Sequence, residues 1–304
     1  MIDVMQLLRE RNPSLAARLP RGAGSILRLV AHEGKINRTL ARAKRLEARP
    51  GDARPGDARY RNAGYRHTRQ RNARECDLER VRLFCDHVLS DLGISLRTEQ
   101  EEYLREATRP VVCANHPTGG VEGLALISTI LRVRGTCRVP ANDLLNLVSP
   151  LIPVILPVNR ARPAGEHARA LLEAFHGTDP ILVFPAGVTA RVEGGVLRER
   201  PWESAFVTRA RRTGREIVPV RVSGRNSDRF YRIHRVRRAL RIGFNLEMAL
   251  LVDELFRRRG ETVVLRFLPP RGVNARGTRS DDRRQAAAIR REVERAERGM
   301  EGQG

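Results

Sequence analysis

Short apolar runs that alternate with helix-length amphipathic stretches predict an α/β fold: a mixed, mostly parallel central sheet flanked by helices, behind a helical N-terminal segment. Two observations carry this reading. PVVCAN, CRVPAN, PVILPVN, PILVFPAG, EIVPVRVSG and TVVLRFLP are brief apolar runs, most of them rich in β-branched residues and closed by Gly, Pro or Asn, which marks buried strands. Between them VEGLALISTILRVRG, EHARALLEAFHG and WESAFVTRARRTG have the length and polarity pattern of helices.

Residues 1–45 read as short helices, with SILRLV as an apolar patch. Residues 46–74 follow as a flexible Arg-rich insertion, because the tandem ARPGD repeat and the Arg, Gly, Pro and Asn around it bury too little apolar surface to offset ordering. From Cys76 the pattern changes: Leu78, Val81, Phe84, Cys85 and Val88 share one face of an amphipathic helix that Gly93 stops. The main domain is expected over 75–275, with a further helical stripe at Met248, Leu251, Val252 and Leu255. An Arg- and Glu-rich helix near 281–299 makes 276–304 a peripheral C-terminal element.

At 304 residues and 41% hydrophobic composition the chain can bury a sizeable core. Its formal net charge of +22 calls for an anionic partner or a compositional bias, and Lys35 and Lys44 are the only lysines, as a preference for arginine codons would produce. Nucleic acid is disfavoured as the partner: Tyr60, Tyr65 and His67 stand among the arginines of 46–74, but no binding module is present and the charge is spread along the chain. Cys76, Cys85, Cys113 and Cys137 form no CxxC pair, so neither a metal site nor a disulfide framework is expected, and no bound cofactor is implied. Asp3, Arg9 and Glu10 break up what a secretory signal would need, which points to the cytoplasm. The apolar stretch 144–158 is shorter than a bilayer span and contains Pro150, Pro153 and Pro157; the expectation is a protein lying on the inner face of a membrane, attracted to its anionic surface.

The chemistry concentrates in NHPTGGVEG, residues 115–123. A strand ending in a Gly-rich turn that opens a helix places His116 at the carboxyl edge of the sheet, where open α/β folds hold their sites. Histidine titrates near neutral pH, and Glu122, six residues on across the turn, can orient the ring and stabilise an imidazolium. Gly119 and Gly120 would offer backbone N–H groups to a bound anion or oxyanion. Ser223 and Ser227 lie outside any GxSxG elbow, which argues against a serine hydrolase.

With its neighbours this stretch resembles the glycerophospholipid acyltransferase superfamily, and within it the hemolysin-like branch that includes lyso-ornithine lipid acyltransferases. NHPTGGVEG is similar to the His-plus-acid box; ILPVNR with Arg160, FPAGV at 184–188, and IVPVRVSGRNS with Pro219 stand in order as the second, third and fourth motifs. The resemblance spans about residues 76 to 270. It implies transfer of an acyl group from an acyl carrier protein or coenzyme A thioester to a lyso-lipid hydroxyl, with His116 as general base and Glu122 holding its ring. By the same resemblance Asn115, Gly119, Gly120, Arg160, Phe184, Pro185, Gly187 and Pro219 would bind substrate. Two departures stand out: five residues rather than four separate the histidine from its acid, and Ala186 replaces the usual glutamate of the third motif. The second departure argues for a lyso-aminolipid over a glycerol phosphate acceptor. A basic nucleic-acid-binding protein and an inactive lipid-binding relative are the alternative readings.

Overall fold

The computed structural model describes residue 38 and residues 63–141, 148–158, 164–193, 196–239, 254, 255 and 257–298. The expected N-terminal helices, Arg160 and most of the 248–255 stripe fall outside the described residues. The first described element, α1, runs Ala63–Asp91, so residues 63–74 are helical rather than part of a flexible insertion. The packed stripe of Leu78, Val81, Phe84, Cys85, Val88 and Leu89 anchors this helix. Once a helix is nucleated it propagates at little cost through residues that contain no proline, as 63–74 do.

There follow β1 (Ser95–Glu99), α2 (Glu102–Glu106), β2 (Val111–Ala114), α3 (Val121–Arg134), β3 (Val139–Ala141), β4 (Ile155–Pro157), α4 (Ala164–His176) and β5 (Ile181–Val183). Then come the hairpin of β6 (Arg191–Glu193) and β7 (Val196–Arg198), α5 (Ala205–Thr213), β8 (Ile217–Val222), α6 (Asp228–Ala239), β9 (Thr262–Phe267) and α7 (Arg279–Arg298). The main sheet has the order β1-β9-β8-β2-β5, and every neighbouring pair is parallel except β8 with β9. A bridge from Arg138 to Ile181 continues it into the small parallel pair of β3 and β4.

β2 and β8 are buried on both faces, which is why they read as continuous apolar runs. Alternation along β2 divides the core: Val112 and Ala114 pack with α1 and α3, while Val111 and Cys113 pack with Trp202, Phe206 and Val207. Helix α7 belongs to that second face and is not peripheral. Ala286, Ile289 and Val293 are buried in it, and Asp282, itself buried, takes Arg211 Nε at 2.9 Å and the Thr208 hydroxyl at 2.7 Å. The sequence hid this because so narrow an apolar stripe is outnumbered by flanking Arg and Glu.

The surplus of arginine is partly spent inside the fold. Arg215, 1% exposed, donates all five of its N–H groups to carbonyls, those of Ala174, Phe175, Gly177, Asp179 and Arg109. Three of these belong to the C-terminal end of α4, where unsatisfied carbonyls and the helix dipole favour a cation. Burial, and then the nearby Arg109, bring its pKa down to about 10. Lysine has three donors and no fork, so Arg215→Lys is expected to cost about 2–4 kcal/mol of stability through stranded carbonyls, measured by denaturant unfolding.

Candidate active site

β2 delivers its last residue, Ala114, to the carboxyl edge of the sheet, and the chain turns through 115–120 into α3. Asn115 begins the turn. Its side chain is buried and clamps the end of β8, with Nδ2 donating to Val222 O at 2.9 Å and Oδ1 accepting Val222 N–H at 2.7 Å. Asn115 therefore joins the two strands that carry the site. Gly119, at φ +93°, supplies the left-handed step that brings the turn back over the start of the helix.

Glu122 lies in the first turn of α3 and is 1% exposed. Its carboxylate accepts the backbone N–H groups of Thr118 at 2.8 Å, Gly119 at 2.7 Å and Gly120 at 3.2 Å, and the Thr118 hydroxyl. Burial pushes its carboxyl pKa up, but His116 and these donors outweigh burial and hold it far below the usual carboxylate range. The expectation that Gly119 and Gly120 give their N–H groups to a bound anion is thereby corrected: the anion they hold is Glu122, whose buried charge requires them.

His116 Nδ1 stands 3.0 Å from Glu122 Oε1, close in distance but without the alignment of a straight hydrogen bond. Pairs of this kind commonly tighten only when substrate is bound. Of the two ring nitrogens, Nδ1 is the one that faces the carboxylate. The side chain is 21% exposed, and its ring stacks on Phe184 with centroids 4.5 Å apart and planes tilted by 33°.

Of the third motif, Phe184 thus meets the histidine directly. Pro185 is buried, its carbonyl taking Glu203 N–H at 3.0 Å, and Gly187 closes the turn by donating to Phe184 O at 3.0 Å. Ala186 packs in the second core face with Trp202 and Phe206, so its methyl group reports on core packing and the acceptor argument built on it falls away. Pro219 is buried in β8. It pairs with Cys113 inside the sheet, where three steps from Ile217 to Val220 oppose four from Phe267 to Arg271, a bulge that tolerates a residue without an N–H. Arg160 lies outside the described residues.

Glu199 is a site residue that the sequence did not announce. It accepts the backbone N–H of His116 and, at 2.9 Å, the indole N–H of Trp202. Burial raises its pKa, opposed by these two donors. It sits 83 residues from His116, just past a short hairpin, and no spacing rule connects the two; only the Trp202 three positions on hinted at a buried acceptor.

The GRNS loop that follows β8 closes the far side. Gly224, at φ +108°, lies under the Arg258 guanidinium, where a β-carbon would come within 2.2 Å of Nη2. Asn226 Nδ2 reaches Pro117 O at 3.5 Å, while Ser227 gives its N–H and hydroxyl to the buried Glu254, each at 2.6 Å. Ser223 Oγ accepts Val264 N–H at 2.8 Å, so both serines are occupied in holding the loop.

Fold and site together define an α/β enzyme built around a loop histidine backed by a buried carboxylate. A family model described as acyltransferase matches residues 76–298, and the chain belongs to that family. Among curated proteins the chain is 30% identical over 272 residues to a lyso-glycine lipid O-acyltransferase of Bacteroides thetaiotaomicron, covering 89% of this chain and 88% of that one. It is 33% identical over 189 residues to a lyso-glycine lipid O-acyltransferase of Phocaeicola vulgatus, covering 62% of this chain and 68% of that one. A solved structure, the 1-acyl-sn-glycerophosphate acyltransferase PlsC of Thermotoga maritima, aligns over 90% of this chain and 95% of its own at a TM-score of 0.49 and 15% identity.

Proposed function

We propose that this acyltransferase moves a fatty acyl group from an acyl thioester to the free hydroxyl of a lyso-lipid whose head group is an amino acid, of the lyso-glycine or lyso-ornithine kind. The observation that carries the reading is the His116–Glu122 pair, a solvent-reachable imidazole 3.0 Å from a buried carboxylate, in a chain 30% identical over most of its length to a lyso-glycine lipid O-acyltransferase. His116 Nε2 takes the hydroxyl proton as the oxygen attacks the thioester carbonyl. The new C–O ester bond forms, the C–S bond breaks, and the proton passes from His116 to the departing thiolate. Glu122 keeps Nδ1–H in place and offsets the imidazolium charge.

The donor is a coenzyme A or acyl carrier protein thioester, and the reaction takes place at the inner face of an anionic membrane. A net charge of +22 and the exposed apolar side chains of Leu83, Ile152 and Val158 favour that location, and no helix among the described residues is long and apolar enough to cross a bilayer.

A competition assay tests the reading. Purified full-length chain, given a labelled acyl thioester with lyso-glycine lipid, lyso-ornithine lipid and lysophosphatidic acid in mixed vesicles, is expected to label an aminolipid first. Preference for lysophosphatidic acid, or no transfer to any of them, would overturn it.

A further inference from the structure

Beside the catalytic turn lies a second feature that the mechanism does not use. A cleft of about 470 Å³ opens between β6 and α6, lined by Val192, Arg225, Asp228, Tyr231, Arg232 and Arg235. Asp228, Tyr231, Arg232 and Arg235 fall on one face of α6 at helical spacing. Asp228 is paired with Arg225, whose guanidinium also covers the Tyr231 ring at 5.6 Å. Arg232 and Arg235 are exposed, and neither has a carboxylate partner among the described residues. With three guanidinium groups against one carboxylate, the cleft is built for an anion.

Both walls are tied to the catalytic turn. Ala190 N–H donates to His116 O at 3.0 Å, and Val192 stands only two residues further along. On the other wall Asn226 reaches Pro117 O, and Arg225 immediately precedes it. The lining includes a single aliphatic side chain, Val192, which makes it a poor place for an acyl chain. Two guanidinium groups share a single carboxylate elsewhere in this fold, as Arg105 and Arg132 share Glu101, so an acceptor head group and a donor phosphate are distinguished by which KM responds. Acyl carrier protein and coenzyme A thioesters share one phosphate-bearing part, the pantetheine arm.

Building on the acyltransferase reading, we propose that Arg225, Arg232 and Arg235 form the binding site for the phosphate of the donor's pantetheine arm, and so direct the thioester toward His116.

Titration of full-length protein with 4′-phosphopantetheine, and with phosphate-free pantetheine as control, tests this without turnover. The phosphorylated compound is expected to bind wild type, and the double variant Arg232→Gln/Arg235→Gln to bind it about tenfold more weakly or worse. In steady-state assays the same variant should raise KM for both palmitoyl-coenzyme A and palmitoyl-acyl carrier protein. Its kcat, its KM for the lipid acceptor and its use of palmitoyl-N-acetylcysteamine, a thioester without phosphate, should stay at wild-type values. The assignment is overturned by unchanged binding and KM, by an equal loss with the phosphate-free thioester, by an effect confined to the acceptor KM, or by one confined to the carrier-protein donor. Failure of wild type to transfer any acyl group would instead refute the acyltransferase reading, and the titration would still decide the cleft.

Discussion

Replacing His116 with alanine is expected to lower acyl transfer about a hundred- to ten-thousandfold, the usual contribution of a positioned general base. The fold should survive. The side chain sits in a turn, partly exposed, and contributes one ring contact with Phe184, while the turn itself is held by main-chain bonds from Ala190 and to Glu199 that alanine preserves. Thermal unfolding should therefore shift only slightly while kcat collapses. A folded His116→Ala protein with wild-type turnover would remove the histidine from the mechanism.

Glu122→Gln is expected to harm both activity and stability, although the change removes no volume. Each carboxylate oxygen already accepts two donors: Thr118 N–H and Gly119 N–H on Oε1, Gly120 N–H and the Thr118 hydroxyl on Oε2. A glutamine amide turns one of those positions into an NH2 group, in a place closed to water: on the Oε1 side it meets two backbone N–H donors head-on, and on the Oε2 side it meets Gly120 N–H and leaves only the Thr118 hydroxyl able to turn and accept. Unsatisfied buried donors cost about 1–3 kcal/mol, and the turn that aims His116 loosens with them. Activity should fall at least about tenfold, together with a lower denaturation midpoint. The sign with pH follows: the folded pKa lies below the unfolded value of about 4.3, so the stability Glu122 gives is present above that value and lost as the solution is acidified through the folded pKa. In the glutamine variant that acid dependence should shrink. Wild-type stability in Glu122→Gln would show that the four bonds are not the anchor of the turn.

Much of this architecture is legible in the chain. β2 and β8 are continuous apolar runs because they are buried on both faces, and the stripe from Leu78 to Val88 marks α1 because helical spacing brings those residues to one side. His116 and Glu122 are readable together because only five residues separate them, a distance over which local geometry leaves few arrangements. Several features escaped, among them the edge strand β1 and the short helix α2. The start of α1 at Ala63 depends on propagation from a packed segment downstream. The β6–β7 hairpin and α6 are too rich in arginine and too short to carry a periodic signal. The burial of α7 rests on Ala286, Ile289 and Val293 amid charged neighbours.

Residue types and short-range spacing thus established an α/β sheet, its buried strands, and a histidine with its acid at a strand's carboxyl edge, since each depends on forces acting within a few residues. Contacts between distant segments decided the rest. Glu199 comes 83 positions along the chain to take the His116 amide, Asn115 is spent on Val222, Ala186 turns into the core, and Arg232 and Arg235 of α6 line one cleft with Arg225. Hydrogen bonding and burial act across space, and a linear spacing carries no record of which surfaces the fold will bring together.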